Sequence, residues 1–122
     1  MSDAIREYLH PRPVYLRLRD VVAADIMDGR YRDGDPLPSV RALAAEHAVN
    51  PLTVAKAYQT FQEDGLVEVR RGVGMFVAAG AQGRLRETEK RAFLDQHWPV
   101  IAAHVRRLGL NPAELLGDVE PA

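Results

Sequence analysis

The apolar positions change period along the chain, and each change marks an element. From about Pro13 to Met27 they recur at helical spacing. Tyr15, Leu18, Val22 and Ile26 form one stripe, Val21 widens it, and Arg17, Arg19, Asp20 and Asp25 take the other faces. Ahead of this helix, Met1 to Arg12 reads as a loose arm, with a turn of helix around Ile5 to Leu9. Asp28-Gly29-Arg30 stops the helix, and Arg32-Asp33-Gly34-Asp35-Pro36 is a turn-rich connection. A short second helix starts from Ser39 as its N-cap, turns Val40, Leu43 and Ala44 inward, and ends near His47. Ala48-Val49-Asn50 then leaves only a tight turn before the next helix.

That next helix, Asn50 to Gly65, has a start signal, a stop signal and one apolar face. Asn50 suits the N-cap, Pro51 the first helical position, and Gly65 the left-handed position just past the end. Val54, Ala57, Tyr58 and Phe61 repeat at i, i+3, i+4, i+7, which predicts a single buried stripe. The other face carries Leu52, Thr53, Lys56 and Thr60, with no acid until Glu63 and Asp64 at the far end. Such a front fits a solvated surface, and it equally fits a major groove, where short side chains allow close approach to bases. Two short helices joined by a tight turn have the layout of a helix-turn-helix, although any small αα-hairpin shares it.

Beyond Gly65 the period falls to two. Leu66 to Val69 and Met75 to Ala78 read as strands, with Arg70-Arg71-Gly72-Val73-Gly74 as a glycine-relieved turn between them. A hairpin with two arginines at its tip is either a solvated edge or a basic wing that enters a minor groove or clamps phosphate. Ala79 to Gly83 is rich in small residues and reads as a linker. Helical periodicity returns from Arg84 to Gly109, where Leu85, Phe93, Leu94, Val100, Ile101, Val105 and Leu108 supply apolar positions and Pro99 predicts a kink or a break. Asn111-Pro112-Ala113-Glu114 repeats the cap-and-proline syntax and opens a final short helix holding Leu115 and Leu116, before a frayed end.

Composition narrows the function classes. The 122 residues suffice for one domain with an appendage. A formal net charge of −1 argues against general polyanion binding, so any nucleic-acid contact requires a local patch. Cysteine is absent, which removes disulfides, thiolate metal sites and cysteine nucleophiles, and fits a reducing cytoplasm. No apolar run reaches the ~18–20 residues of a membrane span. His97 and His104 lie seven apart with Asp95 nearby, but the set lacks a third metal ligand. Ser39 has no histidine partner close in sequence, and no helix opens after Gly72-Val73-Gly74, so neither a nucleophile nor a dinucleotide fingerprint is present. No cofactor and no enzymatic activity are expected.

Three blocks together resemble the GntR superfamily of bacterial transcription regulators, and in particular its short-tailed YtrA-type branch. They are Gly34-Asp35-Pro36-Leu37-Pro38-Ser39-Val40-Arg41-Ala42-Leu43-Ala44; Val49-Asn50-Pro51 with Thr53-Val54 and Lys56-Ala57-Tyr58; and Gly65-Leu66 with Arg71-Gly72-Val73-Gly74-Met75-Phe76-Val77. The resemblance implies a mainly α fold with a small β-hairpin: a winged helix-turn-helix over residues 1–79, a linker over 80–83, and a helical dimerisation region over 84–122. It implies a cytoplasmic homodimer on a palindromic operator, usually a repressor and often beside genes for an ABC-type transporter. DNA contacts would fall on Arg41, Asn50, Leu52, Thr53 and Lys56, and in the wing on Arg70, Arg71, Gly72 and Gly74. Dimer contacts would fall on Phe93, Leu94, Trp98, Ile101, Val105, Leu108 and Leu115, with Trp98 either an interface anchor or core. Three residues depart from the family pattern: Ala48 where glycine is usual, Met75 where threonine is usual, and Leu52 where a polar residue is common. Fewer than the usual number of residues follow the linker, too few to enclose an effector pocket of ~300 Å³ within one subunit. An effector between subunits stays open, as does the competing expectation of a winged-helix module that docks protein partners through the same face.

Overall fold

Caps and turn residues set the helix boundaries in the computed structural model, which describes residues 12–117. Most of the expected N-terminal arm and the last five residues lie outside that range. The chain divides into two units, one over Pro11–Thr88 and one containing Glu89 onward.

In the first unit, α1 spans Val14–Met27 behind Pro13. It buries Leu18, Val22, Ala23 and Ile26, whereas Val21, expected to widen the stripe, is 43% exposed. The buried face leans toward Ala23 and the stem of Arg19, whose guanidinium lies over the Phe61 ring at 5.4 Å, and so away from Val21. Helix α2 spans Val40–His47, and Ser39 caps it by accepting from the Ala42 amide at 3.1 Å. Helix α3 spans Pro51–Glu63, with the Asn50 side-chain oxygen accepting from the Leu52 amide at 2.8 Å. Its stripe of Val54, Ala57, Tyr58 and Phe61 is no more than 2% exposed, and the Tyr58 hydroxyl donates to the Pro38 carbonyl at 2.8 Å. The turn between α2 and α3 requires a left-handed residue, and Ala48 supplies it at φ 53°, ψ 46°. Its Cβ crowds the backbone there, a strain that glycine avoids.

Strands β1 (Val67–Arg70) and β2 (Gly74–Val77) pair antiparallel, Val67 opposite Val77 and Arg70 opposite Gly74. The segment 34–37, expected as a plain connection, also adds to this hairpin. Pro36 bridges Phe76, the Gly34 and Leu37 amides donate to Val77 and Met75 at 2.7 and 2.8 Å, and the Val77 amide donates to Asp35 at 2.9 Å. Its composition conceals this role, because Gly, Asp and Pro disfavour strands except at edges, where an absent N–H is tolerated.

The expected linker at 80–83 is instead the start of a helix, α4, over Ala81–Ala92. Asp33 acts as its cap from a distant loop, its carboxylate oxygens accepting from the Gly80 and Gln82 amides at 2.7 and 3.2 Å. Ala81 and Leu85 are 0% and 1% exposed within the same core as α1 and α3. Of the small residues there Ala81 is the packed one, while Gly80 and Gly83 are exposed with open space where a Cβ would stand. Side chains of α4 also satisfy helix-end carbonyls: Gln82 and Arg86 donate to Met27, and Arg84 donates to Gly65 at 2.8 Å.

In the second unit, Pro99 produces neither a sharp break nor a regular helix. Phe93–His97 forms a π-helical turn that leads into α5 over Trp98–Arg107, and the Trp98 amide donates to the Phe93 carbonyl. Proline has no N–H to return to the fourth residue before it and its ring crowds that carbonyl, so a widened turn accommodates it. A last helix, α6, spans Pro112–Gly117, capped by Asn111, whose side chain accepts from the Ala113 amide at 3.0 Å.

Two stability outcomes follow from this packing. Ala48→Gly should raise the unfolding free energy by about 1 kcal/mol, read from the urea midpoint at unchanged slope. Tyr58→Phe should lower it by about 1–2 kcal/mol, since the Pro38 carbonyl loses its donor. Burial first, with Tyr31 and Glu46 adding, holds the Tyr58 phenol above its ordinary 10.0. The unfolded chain therefore ionises first. The contribution of Tyr58 is intact below pH 10 and is lost as pH rises beyond it, so the variant's alkaline unfolding limb should be shallower.

Candidate nucleic-acid interface

The residues on the front of α3 owe their position to its back. With Val54, Ala57, Tyr58 and Phe61 locked in the core, the helix cannot rotate, and Leu52 and Lys56 face outward with Thr53 half-buried beside them. Leu52 is 77% exposed, unusually high for a leucine, and its methyl groups offer an apolar contact of the kind that matches a thymine methyl. Asn50 is exposed too, but its side-chain oxygen is committed to the cap. Only its amide NH₂ is left to donate outward.

Arg41 stands in the first turn of α2, exposed and with no ion pair among the described residues. In the wing, Arg70 closes β1 and Arg71 follows it into the turn, where the Val73 amide donates to the Arg70 carbonyl at 2.9 Å. Gly72 and Gly74 have φ of 76° and 145°, and a Cβ on either would meet nothing within 4 Å. Backbone geometry, not crowding, therefore asks for glycine at both. The nearest acids along α3 are Glu63 and Asp64 at its far end, while Glu46 of α2 lies 3.7 Å from Arg30. A chain of net charge −1 thus places exposed Arg41, Lys56, Arg70 and Arg71 on α2, α3 and the wing.

Two aromatic residues at this site were not recognised as part of it from sequence. The Arg70 guanidinium lies over the Phe76 ring at 4.0 Å, and the Lys56 ammonium lies over the Tyr15 ring at 4.2 Å. The first was discoverable from the hairpin register, since Phe76 pairs with Glu68 and sits diagonal to Arg70. The second joins separate helices, and helical spacing alone places Tyr15 on the core stripe of α1.

Among the expected dimer residues, Phe93, Leu94, Trp98, Leu108 and Leu115 are between 40% and 57% exposed, and Ile101 is half-buried. Val105 departs from the rest at 8% exposed: it is already covered within the chain and offers little to a partner. Among the described residues no group of His, Asp or Glu could hold a metal ion, and no helix is long and apolar enough to cross a membrane.

The model for bacterial regulatory proteins of the gntR family matches residues 14–77, the span from α1 through β2. The chain is 32% identical over 94 residues to the HTH-type transcriptional repressor YtrA of Bacillus subtilis, covering 70% of this chain and 72% of that one. A GntR family transcriptional regulator from Listeria monocytogenes superimposes with a TM-score of 0.69 at 28% identity, over 89% of this chain and 96% of that one. The DNA-binding domain of AraR, solved in complex with operator ORR3, superimposes with a TM-score of 0.55 at 25% identity, over 57% and 83%. With its winged helix-turn-helix and these likenesses, the chain belongs to the gntR family of bacterial regulatory proteins, as a YtrA-like transcription regulator with a DNA-binding domain.

Proposed function

We propose that the protein is a homodimeric repressor that grips a palindromic operator with α3 in the major groove and the wing alongside. The observation that carries this reading is the acid-free front at the N-terminal half of α3, fixed by a wholly buried back, with exposed Arg41 on the preceding helix and exposed Arg71 in the following turn. Thr53 and Leu52 read bases, the Asn50 amide supports them, and Arg41, Arg70 and Arg71 neutralise phosphate or enter a minor groove. Gly72 and Gly74 let the wing backbone approach the duplex. YtrA is named a repressor, and AraR was solved with an operator, which supports both the mode and the direction of control. Likeness to the YtrA-type branch supports an operator beside ABC-type transporter genes, in the cytoplasm.

Two-fold symmetry suits two half-sites ~34–36 Å apart. The exposed Phe93, Leu94, Trp98, Leu108 and Leu115 supply the apolar area a second copy would cover, with Ile101 at its margin. Any effector would bind between the two copies.

Operator binding is tested on a duplex selected by the full chain from a random-sequence pool. Arg41→Ala and Thr53→Ala should each weaken it by about 1–3 kcal/mol, measured by fluorescence anisotropy, and untouched affinity in both would refute the assignment. Log affinity should fall with log salt by ~0.9 for each phosphate contacted, whereas a protein-docking module would show a nearly flat line. Trp98→Glu should convert a sedimenting dimer to monomer and weaken operator binding at least tenfold, because the two half-sites are then no longer gripped together.

A further inference from the structure

We propose that Tyr15 is a positioning residue for DNA binding: its ring seats the Lys56 ammonium at the flank of α3, where it meets backbone phosphate rather than a base. The inference rests on the operator reading above.

The stripe of α1 runs out of core at its N-terminal end. Leu18, Val22 and Ile26 are at most 4% exposed, but Tyr15, one turn earlier, is only half-buried. Its ring is left on the rim between α1 and α3, where it lines a shallow depression with Lys56, Gln59, Thr60 and Glu63. The ammonium of Lys56 lies 4.2 Å from the ring centroid. Glu63 lines the same depression, yet it forms no ion pair with Lys56 among the described residues.

A lysine on an exposed helix face ordinarily samples many rotamers, and fixing one opposes binding entropically. An aromatic face draws the ammonium to one place while leaving its N–H donors on the open side available. The place matters for what it contacts. Drawn toward α1, the charge lies over a depression that Leu52 and Thr53 do not line, at the flank of α3, where a helix seated in a groove faces the phosphates of its wall. Phosphate recognition asks only for a point charge there, which an ammonium supplies. Lys56 therefore contributes affinity on any sequence, and Leu52 and Thr53 are left to discriminate between bases.

The test uses the full chain, the selected duplex and an unrelated duplex of equal length, with Tyr15→Phe, Tyr15→Leu, Lys56→Met and the double variant Tyr15→Leu/Lys56→Met. Lys56→Met should weaken both duplexes alike and reduce the salt slope by ~0.9 per bound chain. Tyr15→Phe keeps the ring and should bind within about twofold of native, while Tyr15→Leu should lose about two- to fivefold on both duplexes. The double variant should bind like Lys56→Met alone, an interaction that a purely structural tyrosine would not produce. A Tyr15→Leu loss that persists in full without Lys56, or no loss at all, overturns the seat. Weakening of the selected duplex alone by Lys56→Met overturns the phosphate assignment. Should Tyr15→Leu fold poorly, the free native protein still decides. Its Lys56 ε-methylene protons should resonate upfield from the ring current, as they should in Tyr15→Phe, and unshifted resonances overturn the seat. If the native chain selects no duplex and shows no salt-dependent binding, it is the operator reading that has failed. Native binding with independent effects at the two positions removes the Tyr15 proposal alone.

Discussion

The buried back of α3 is the constraint on which the other features depend. Val54, Ala57, Tyr58 and Phe61 withdraw almost completely from water, and burial of a side chain of Phe61's size is worth about 1.5–3 kcal/mol. Four such positions on one stripe fix rotation about the helix axis as well as depth. That is why short residues on the opposite side, none of which packs a core, nevertheless present a defined surface. The Tyr58 hydroxyl bond to Pro38 extends the constraint to the segment entering α2, so Arg41 and the front of α3 derive their placement from one core.

The same core reaches further along the chain than the matched family span. Ala81 and Leu85 complete it, Asp33 caps the helix that carries them, and Arg84 and Arg86 satisfy carbonyls at the ends of α3 and α1. Each of these bonds joins residues distant in sequence. Together they make the start of α4 part of the winged unit, which runs to Thr88. Helix-end carbonyls are common orphans, and cationic side chains at a C-terminus also suit the helix dipole. The attachment is thus local chemistry applied between remote segments.

Two features show the chain accepting local disadvantage for a global layout. Ala48 holds a left-handed conformation that its Cβ opposes, because the angle between α2 and α3 is set by packing on both sides. Pro99 sits within a helical run and is accommodated by a π turn, a deformation that the neighbouring amides absorb without ending the helix. In both cases the sequence departs from the residue that local preference would select, and the departure is visible before any coordinates.

Local chemistry alone settled much of the architecture. Ser39, Asn50, Pro51 and Gly65 fixed the ends of α2 and α3, helical spacing fixed the buried stripe, and β-branched alternation with paired glycines fixed the hairpin to within a residue. These are short-range signals, carried by groups a few residues apart, and sequence order preserves them. Long-range pairings were hidden for the converse reason. The segment 79–83 looks like a linker until Asp33 caps its Gly80 and Gln82 amides and Ala81 enters the core of α1 and α3, and Pro36 looks like a turn until β2 lies beside it. The candidate site divides in the same way. Its outward residues were legible because they are what remains once the buried stripe is assigned. The aromatic seats under Arg70 and Lys56 were not, since one needs the register of two strands and the other the packing of two helices, and only folding brings Tyr15 beneath a lysine on another helix.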